Sequence, residues 1–329
     1  MSEAVISFPI LGEGFSLDIP TYFTVLGWRI HWYGVIIAVG FILAVIYAVK
    51  RAPGFGLKED DIIDMLIWAV PLAVICARLY YVVFYRDAGG ENPYFDGQHD
   101  LKDIVAVWEG GLAIYGGIIG GALGVLISMR RRRHMTRAMM DLGGLGMLIG
   151  QAVGRWGNFV NREAYGAETT VPWRMGLSDE WATRYYHPTF LYESLWNLLG
   201  LLLLHLYSKK RKFDGQIFLM YLGWYGLGRM FIEGLRTDSL YLGGTGLRVS
   251  QLLGMLTFAA AGGILLYVTL LRRPDPKNML VNRKINAGET EETKETGDKP
   301  GGEPDAVCGP AAEDEKENAE RTESSGKGE

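Results

Sequence analysis

The chain has 329 residues, of which 49% are hydrophobic and 21% charged, and its formal net charge is -4. These averages combine a strongly apolar body, residues 26–273, with a tail, residues 274–329, that is rich in Glu, Lys, Gly and Thr. Because such a tail cannot bury enough apolar surface to offset the entropy of ordering it, the composition excludes a second folded domain there. We expect a disordered, acidic cytoplasmic tail and an external N-terminal arm of residues 1–25.

The body contains seven apolar stretches, each close to the length of about 20 residues that a bilayer-spanning helix needs. They cover residues 26–49, 62–85, 104–129, 139–159, 188–207, 216–235 and 249–271. Glycines recur at small-xxx-small spacing in the third stretch, including Gly117 and Gly121, and this spacing lets membrane helices approach closely. The sequence therefore predicts an all-α integral membrane protein with seven transmembrane helices.

Basic residues lie in every second loop between the predicted helices, after the first, third, fifth and seventh spans. Short cytoplasmic loops collect Lys and Arg, so this alternation predicts an external N-terminus and a cytoplasmic C-terminus. The same rule accounts for the four arginines at 130–133, which give no reason to expect nucleic-acid binding. Residues 1–18 lack the pattern of a cleavable signal peptide, so we expect the first span to direct its own insertion.

Charged residues cluster near the outer end of the sixth predicted helix. The residues spaced at i, i+4, i+8 and i+11 there are Tyr225, Arg229, Glu233 and Arg236. This spacing places them in one stripe of a continuous helix, and Arg155 lies at the outer end of the fourth helix. An ion pair between Arg229 and Glu233, with interfacial anchoring of the other arginines, would explain each residue separately. Together, the excess of guanidinium groups predicts a site for an anion.

Residues 161–187, between the fourth and fifth spans, contain several Trp and Tyr side chains among charged ones, which predicts a small external head at the membrane interface. Glu193 follows about one turn inside the fifth helix, where a carboxylate requires a partner. The two cysteines, Cys76 and Cys308, lie in environments too different for a disulfide or a metal site. We expect no metal and no cofactor.

The most distinctive stretch is residues 154–166, which read GRWGNFVNREAYG. It resembles the signature of the prolipoprotein diacylglyceryl transferases, in which Gly-Arg precedes Gly-Asn-Phe, an Asn, a Glu and a Gly. Four further stretches resemble characteristic segments of that family in the same order: IHWYG, WEGGLAIYGG, HPTFLYE and YGLGRMFIEGLR. The resemblance extends from about residue 30 to residue 271 and leaves out the tail.

The resemblance implies a multi-pass enzyme of the bacterial cell membrane whose substrates are phosphatidylglycerol and preprolipoprotein signal peptides. Such an enzyme transfers the diacylglyceryl group to the lipobox cysteine thiol, forms a thioether and releases glycerol 1-phosphate. By motif position, Arg155 corresponds to the arginine that binds the lipid headgroup, and Arg229 to a second essential arginine. Guanidinium groups suit a phosphate leaving group because they keep their charge and donate in a planar fork.

The expected site residues follow from these motifs and from the charge pattern. Those expected to take part in catalysis are Arg155, Arg229, Tyr115 and Glu233. Those expected to bind phosphatidylglycerol are Arg155, Tyr33, Asn158, Glu163, Gly166 and Arg236.

Tyr115 departs from the family pattern, because many members carry a histidine there that has been considered a general base for the thiol. A phenol with an ordinary pKa of about 10 is a poor base at neutral pH. Tyr115 could instead hydrogen-bond the phosphate or the ester of the lipid. His31 and His187 are other candidates on the outer side, and the sequence leaves the identity of the base open.

A polytopic membrane transporter is the main alternative, because intramembrane charges also line solute pathways. Paired inverted repeats with broken helices would favour it, and none is evident in the sequence. A photoreceptor would need a lysine in the last span, and an intramembrane serine protease would need a G-x-S-G stretch; the sequence has neither.

Overall fold

The computed structural model describes residues 5–12, 14–86, 90, 92–95, 101–107, 110–130, 133–179, 181–241 and 246–283. The predicted tail from residue 284 onward, with Cys308, lies outside the described residues. Arg131 and Arg132 of the basic run and residues 108 and 109 of the WEGGLAIYGG stretch also lie outside them.

Helices dominate the described residues, which confirms the predicted helical class. They are α1 (Trp32–Arg51), α2 (Glu59–Phe84), the short α3 (Leu101–Val105), α4 (Ile114–Ser128), α5 (Thr136–Asn161), α6 (Thr189–Ser208), α7 (Gln216–Ile232) and α8 (Val249–Tyr267). Each predicted span overlaps one of the seven long helices. Within the described residues, four segments are long and apolar enough to cross a membrane: Trp32–Phe55, Glu59–Phe84, Thr189–Ser208 and Val249–Arg272.

Two small antiparallel sheets accompany the helices, and the prediction did not include them. One sheet has the strand order β2-β1-β5-β6, and the other is a hairpin of β3 and β4. The strands are β1 (Val5–Ser7), β2 (Ser16–Leu17), β3 (Tyr22–Val25), β4 (Trp28–His31), β5 (Met175–Ser178) and β6 (Thr183–Tyr186). Because β1 pairs with β5, the N-terminal arm and the segment between α5 and α6 form one structural unit rather than two.

Several predicted helix boundaries differ from those observed. The first helix begins at Trp32 rather than at residue 26, because Leu26 and Gly27 both have positive φ and form the two-residue turn of the β3–β4 hairpin. The third begins at Ile114 rather than at residue 104. The sixth ends at Ile232, and Glu233–Leu235 continue as a 3₁₀ turn.

The helices pack mainly as α2 with α4, α1 with α5 and α7 with α8, while α5 also contacts α6 and α7. Glycines allow the closest of these approaches, between α4 and α2. A Cβ at Gly116 would lie 2.2 Å from the carbonyl oxygen of Cys76, and one at Gly120 would lie 2.1 Å from that of Leu72. The glycines predicted for this role, Gly117 and Gly121, are one position off, since a Cβ there would make only ordinary contacts.

The main hydrophobic core is built around α5 and includes buried residues of the turn after α1, of α2, α6 and α7, and of the segment that follows α8. Met279 and Leu280 are 8% and 5% exposed, and the Leu280 N–H donates to Oδ2 of Asp214 at 2.7 Å. The predicted disordered tail is therefore wrong for residues 274–283, because two apolar side chains in a mostly polar stretch are buried against the body.

Candidate active site

One buried carboxylate, Glu193 near the start of α6, has three arginines around it. Its Oε2 lies 2.6 Å from Nη2 of Arg155 on α5 and 3.4 Å from Nη1 of Arg229 on α7. Its Oε1 lies 3.7 Å from Nη1 of Arg236, which follows α7. Glu193 is only 5% exposed, so its charge requires these partners. The predicted proximity of the two helix arginines is thus observed, with a carboxylate between them.

A second buried carboxylate, Glu233, lies on the other side of Arg229. Its Oε2 is 3.2 Å from Nη1 of Arg229, and its Oε1 accepts a hydrogen bond from Oγ of Ser239 at 3.0 Å. Arg248 donates to the main-chain carbonyl of Glu233. Charge-assisted N–H···O bonds are usually about 2.7–2.9 Å long. Arg229 is therefore shared between two carboxylates, and its distances to both are longer than those in a well-formed ion pair. Its guanidinium can still donate hydrogen bonds to another anion.

Arg236 reaches the cluster from a turn, so the predicted stripe on one continuous helix is wrong for this residue. It lies after the 3₁₀ turn in an extended conformation and pairs with Asp238 through two bonds, 2.9 Å from Nε to Oδ1 and 2.8 Å from Nη2 to Oδ2. These hydrogen bonds from Arg236 hold the pKa of Asp238 below its ordinary value.

Gly166 fixes the position of Arg236 through the main chain. The two residues form an antiparallel β-bridge, and the Gly166 N–H donates to the carbonyl oxygen of His187 at 2.9 Å. A Cβ at Gly166 would lie 2.7 Å from Cβ of His187 and 3.0 Å from the carbonyl oxygen of Leu235. Close packing of the backbone beside the arginine cluster therefore explains why the signature has a glycine at position 166.

Two further polar residues of the signature, Asn158 and Glu163, form a short hydrogen-bonded chain that ends at Arg155. Nη1 of Arg155 donates to Oδ1 of Asn158 at 3.1 Å, and Nδ2 of Asn158 donates to Oε1 of Glu163 at 2.8 Å. Tyr33, on α1, packs its ring over Gly157, where a Cβ would lie 2.7 Å from the ring. The structure thus brings Asn158 and Glu163 to Arg155 and places Tyr33 on the same part of α5.

A partly open cleft lies beside Arg155, Arg229 and Glu193. Its other lining residues are Gln151, Trp196, Asn197, Tyr225, Gly228 and Ile232. The charges at this place are three partly buried guanidiniums, the two buried carboxylates Glu193 and Glu233, and the more exposed Asp238, which pairs with Arg236 at the edge. Arg155 and Arg229 line the cleft itself, where their guanidiniums suit an anionic ligand.

Three other candidate residues lie elsewhere in the described parts of the chain. Tyr115, on α4, is 52% exposed, contacts the ring of Tyr80 at 6.1 Å between centroids, and does not line the cleft. His31 packs against the ring of Tyr22 in the β3–β4 hairpin, and His187 interacts with the hydroxyl of Tyr192 through Nδ1 at 3.1 Å. The cleft therefore has no histidine in its lining.

Sequence reasoning missed two kinds of site residue. Glu193 was expected only to need a partner, and its position between three arginines depends on how α5, α6 and α7 pack. Gln151 and Asn197 were not singled out, although a polar side chain one turn before Arg155 in an apolar helix is a signal that could have found Gln151.

Within the described residues, no three His, Cys, Asp or Glu side chains are grouped so as to hold a metal ion.

Comparison with known proteins gives one consistent family. Residues 20–268 match the family model described as prolipoprotein diacylglyceryl transferase. A phosphatidylglycerol–prolipoprotein diacylglyceryl transferase of Limosilactobacillus reuteri is 43% identical over 254 residues, which are 74% of this chain and 87% of the relative. Enzymes with the same name from Enterococcus faecalis and Finegoldia magna are each 42% identical, over 80% and 75% of this chain and 93% of each relative.

Proposed function

Because the chain belongs to the prolipoprotein diacylglyceryl transferase family, we propose that it transfers the diacylglyceryl group of phosphatidylglycerol to the lipobox cysteine thiol of preprolipoproteins. The observation that carries this proposal is the meeting of Arg155 and Arg229, from two helices, at the buried cleft beside Glu193. Two partly buried guanidiniums at one cleft are suited to hold a phosphate-bearing lipid through forked, charge-assisted hydrogen bonds.

The proposed setting is the bacterial cell membrane, which the chain crosses seven times with its N-terminus outside. The basic loops support this orientation, and it places Arg155, Arg229 and the β-sheets at the outer side. Helices α4, α5 and α7 then cross as part of the bundle, and α7 with the residue before it provides partners for Asp141 and Gln151 of α5. A lipid can reach such a site sideways from the outer leaflet.

In the proposed complex, Arg155 and Arg229 hold the phosphate of the lipid. Glu193 keeps both guanidiniums oriented before the lipid arrives, because it bridges them. Asn158 and Glu163 orient Arg155 in turn, and Glu233 and Arg236 complete the cluster. This preorganisation matters because donors that are already in place cost no reorganisation when charge develops.

The proposed reaction is a displacement at the carbon that joins the diacylglyceryl group to the phosphate oxygen. The cysteine sulfur forms a bond with this carbon, the carbon–oxygen bond breaks, and glycerol 1-phosphate leaves with the electron pair. Arg155 and Arg229 stabilise the negative charge that grows on the phosphate. The thiol, with an ordinary pKa of about 8.5, loses its proton as it attacks. The reaction uses no metal or cofactor.

We assign Tyr115 an orienting role toward the lipid ester or phosphate rather than the role of base. Its half-exposed ring lies on α4 beside Tyr80, in surroundings open to a lipid or a peptide. A phenol serves as a base at neutral pH only when its pKa is strongly lowered. The leaving phosphate itself is a proton acceptor close to the reacting sulfur.

Direct transfer is the decisive test of this function. The purified full-length protein is incubated with phosphatidylglycerol and a lipobox peptide, and mass spectrometry is expected to detect a diacylglyceryl adduct on the cysteine. A peptide with serine in place of that cysteine is the control and should stay unmodified. Solute flux in reconstituted vesicles without lipid consumption would instead support the transporter alternative.

A further inference from the structure

The cleft contains a polar group that the proposed reaction does not use. Gln151 lies one helical turn before Arg155 on α5, and its Nε2 donates to the hydroxyl of Tyr221 at 3.0 Å. Its Oε1 is buried and has no hydrogen-bond partner within the described residues. A buried acceptor without a donor costs free energy, and in a ligand cleft it often marks a place for a donor on the ligand.

Gln216, at the start of α7, shows what a purely structural buried glutamine looks like in this protein. It is 3% exposed, and its Nε2 donates to the hydroxyl of Tyr207 at 3.1 Å, as Gln151 does to Tyr221. Its Oε1, however, accepts from the Lys212 N–H at 2.6 Å. The two glutamines therefore differ at the amide oxygen, which has a donor in Gln216 and none in Gln151, a residue of the cleft lining.

The surroundings restrict what can donate to this oxygen. Ester carbonyls of a lipid are acceptors, so they cannot pair with Oε1 of Gln151. An ammonium headgroup can donate, but the positive charges of Arg155 and Arg229 oppose its entry. A neutral hydroxyl meets both conditions.

We propose that Gln151 is a specificity-determining residue whose Oε1 accepts a hydrogen bond from a hydroxyl of the polyol headgroup of the lipid. This inference rests on the proposed function and adds to it a position for the leaving group. The headgroup lies in the cleft beside Gln151, the phosphate lies at the arginines one turn further along α5, and the acyl chains extend away from the cleft. Asn197, 5% exposed, is a further amide in the same lining.

The test compares two lipids that differ only in the headgroup hydroxyls. Phosphatidylglycerol and phosphatidylpropanol with the same acyl chains are offered to the wild-type enzyme and to Gln151→Met, a nearly isosteric change. Wild type should prefer phosphatidylglycerol in kcat/KM by about tenfold or more, as for a site that loses a hydrogen-bonded hydroxyl. In Gln151→Met the ratio should fall to about one, through loss on phosphatidylglycerol alone.

Gln216→Met is the matched control, because it should lower activity on both lipids alike and leave the ratio at the wild-type value. Equal losses on both lipids in Gln151→Met, or a wild-type ratio near one, would overturn the proposal.

Direct binding keeps the proposal testable without turnover and without a variant. Calorimetry on the wild-type protein should show tighter binding of glycerol 1-phosphate than of propyl phosphate by about the same tenfold factor. Equal affinities would contradict the role of Gln151. If the enzyme bound glycerol 1-phosphate selectively but transferred no lipid, the proposed function would fail while the headgroup contact would stand.

Discussion

Two buried arginine sites, one at Arg78 and one at Arg155 and Arg229, use the same side chain in opposite ways. Arg78, on α2, is 6% exposed and donates to main-chain carbonyl oxygens in and after α3. The acceptors are Asp103, Ile104, Gly110 and Gly111. Arg155 and Arg229 contact side-chain carboxylates instead, and the Arg229 contacts to them are 3.2–3.5 Å long.

The difference separates a structural arginine from one that can bind a ligand. The carbonyls around Arg78 belong to the chain it holds, so exchanging them for another acceptor would release that segment. The rings of Tyr81 and Tyr94 further enclose its guanidinium, at 5.6 and 5.5 Å from their centroids. At Arg155 the acceptor is a side-chain anion, the carboxylate of Glu193. A phosphate can bind the same guanidinium without unfolding a loop.

The largest expected effect is that of Arg155→Lys. We expect kcat/KM for diacylglyceryl transfer to fall on the order of 10²- to 10³-fold, as when one preorganised donor is removed, because one ammonium cannot replace a forked guanidinium. The assay is thioether formation on a lipobox peptide, with the melting temperature as a check on folding. Arg162→Lys is the matched control from the same motif, since Arg162 donates to the carbonyls of Val160 and Ile19, so the change should affect stability and leave transfer per folded molecule near the wild-type value. Wild-type turnover in Arg155→Lys would reduce Arg155 to an interfacial anchor.

Tyr115 tests whether the region held by Arg78 also takes part in the reaction. If the phenol orients the lipid, Tyr115→Phe should lower the rate by about one to two decades, which matches a lost hydrogen bond of roughly 1.5–3 kcal/mol to a charged group. Tyr115→His should keep activity, because imidazole can also donate. Rates are measured against pH at saturating phosphatidylglycerol. An inactive phenylalanine variant, with the alkaline limb of the histidine variant shifted toward neutral pH, would make residue 115 the base instead.

The sequence predicted the helices and the arginine site because both depend on local features. Apolar length indicates a membrane helix wherever it occurs, and Arg155 and Arg229 stand out as charges in apolar context. Glu193 as the shared partner could not be predicted in the same way, since the sequence does not state which helices pack side by side. Its neighbour Gln151 escaped notice because an amide carries no charge.

The errors have a common physical origin in long-range contacts. Leu26 belongs to an apolar run, yet it turns a hairpin whose existence depends on the pairing of β3 and β4. The pairing of β1 with β5 joins residues more than 160 positions apart, and local periodicity does not reveal it. Leu280 lies in a polar stretch, and its burial depends on partners in the loops after α1 and α6.

A smaller effect is expected for Arg78→Lys, and it should appear in stability rather than in chemistry. A lysine has no planar fork with which to donate to all four carbonyls, so the free energy of unfolding should fall by about 1–3 kcal/mol. Activity per folded molecule should change less than threefold, well below the effect of a lost phosphate contact. Arg86→Lys, an exposed position just after α2, is the control and should melt like wild type. A large loss of kcat at unchanged stability would erase the distinction between the two arginine sites.

The smallest effect on transferase activity is expected from shortening the chain after α8, beside a third buried arginine, Arg211, which is held in the manner of Arg78 by the carbonyls of Ser208 and Gly54. The segment after α8 docks beside Arg211, and the N–H of Leu280 donates to Asp214. The described residues of this segment end at Arg283. A chain ending at Arg283 keeps this contact and should retain full stability and transferase activity. A chain ending at Pro276 loses the buried side chains of Met279 and Leu280, which together contribute roughly 3 kcal/mol or more, so its melting temperature should fall. Its activity per folded molecule should not change, because no residue of this segment lines the cleft.

Melting curves and transfer assays on both truncations check these expectations. Equal melting temperatures would show that the docked segment adds no stability, and a folded but inactive 283-residue chain would place part of the function in the tail.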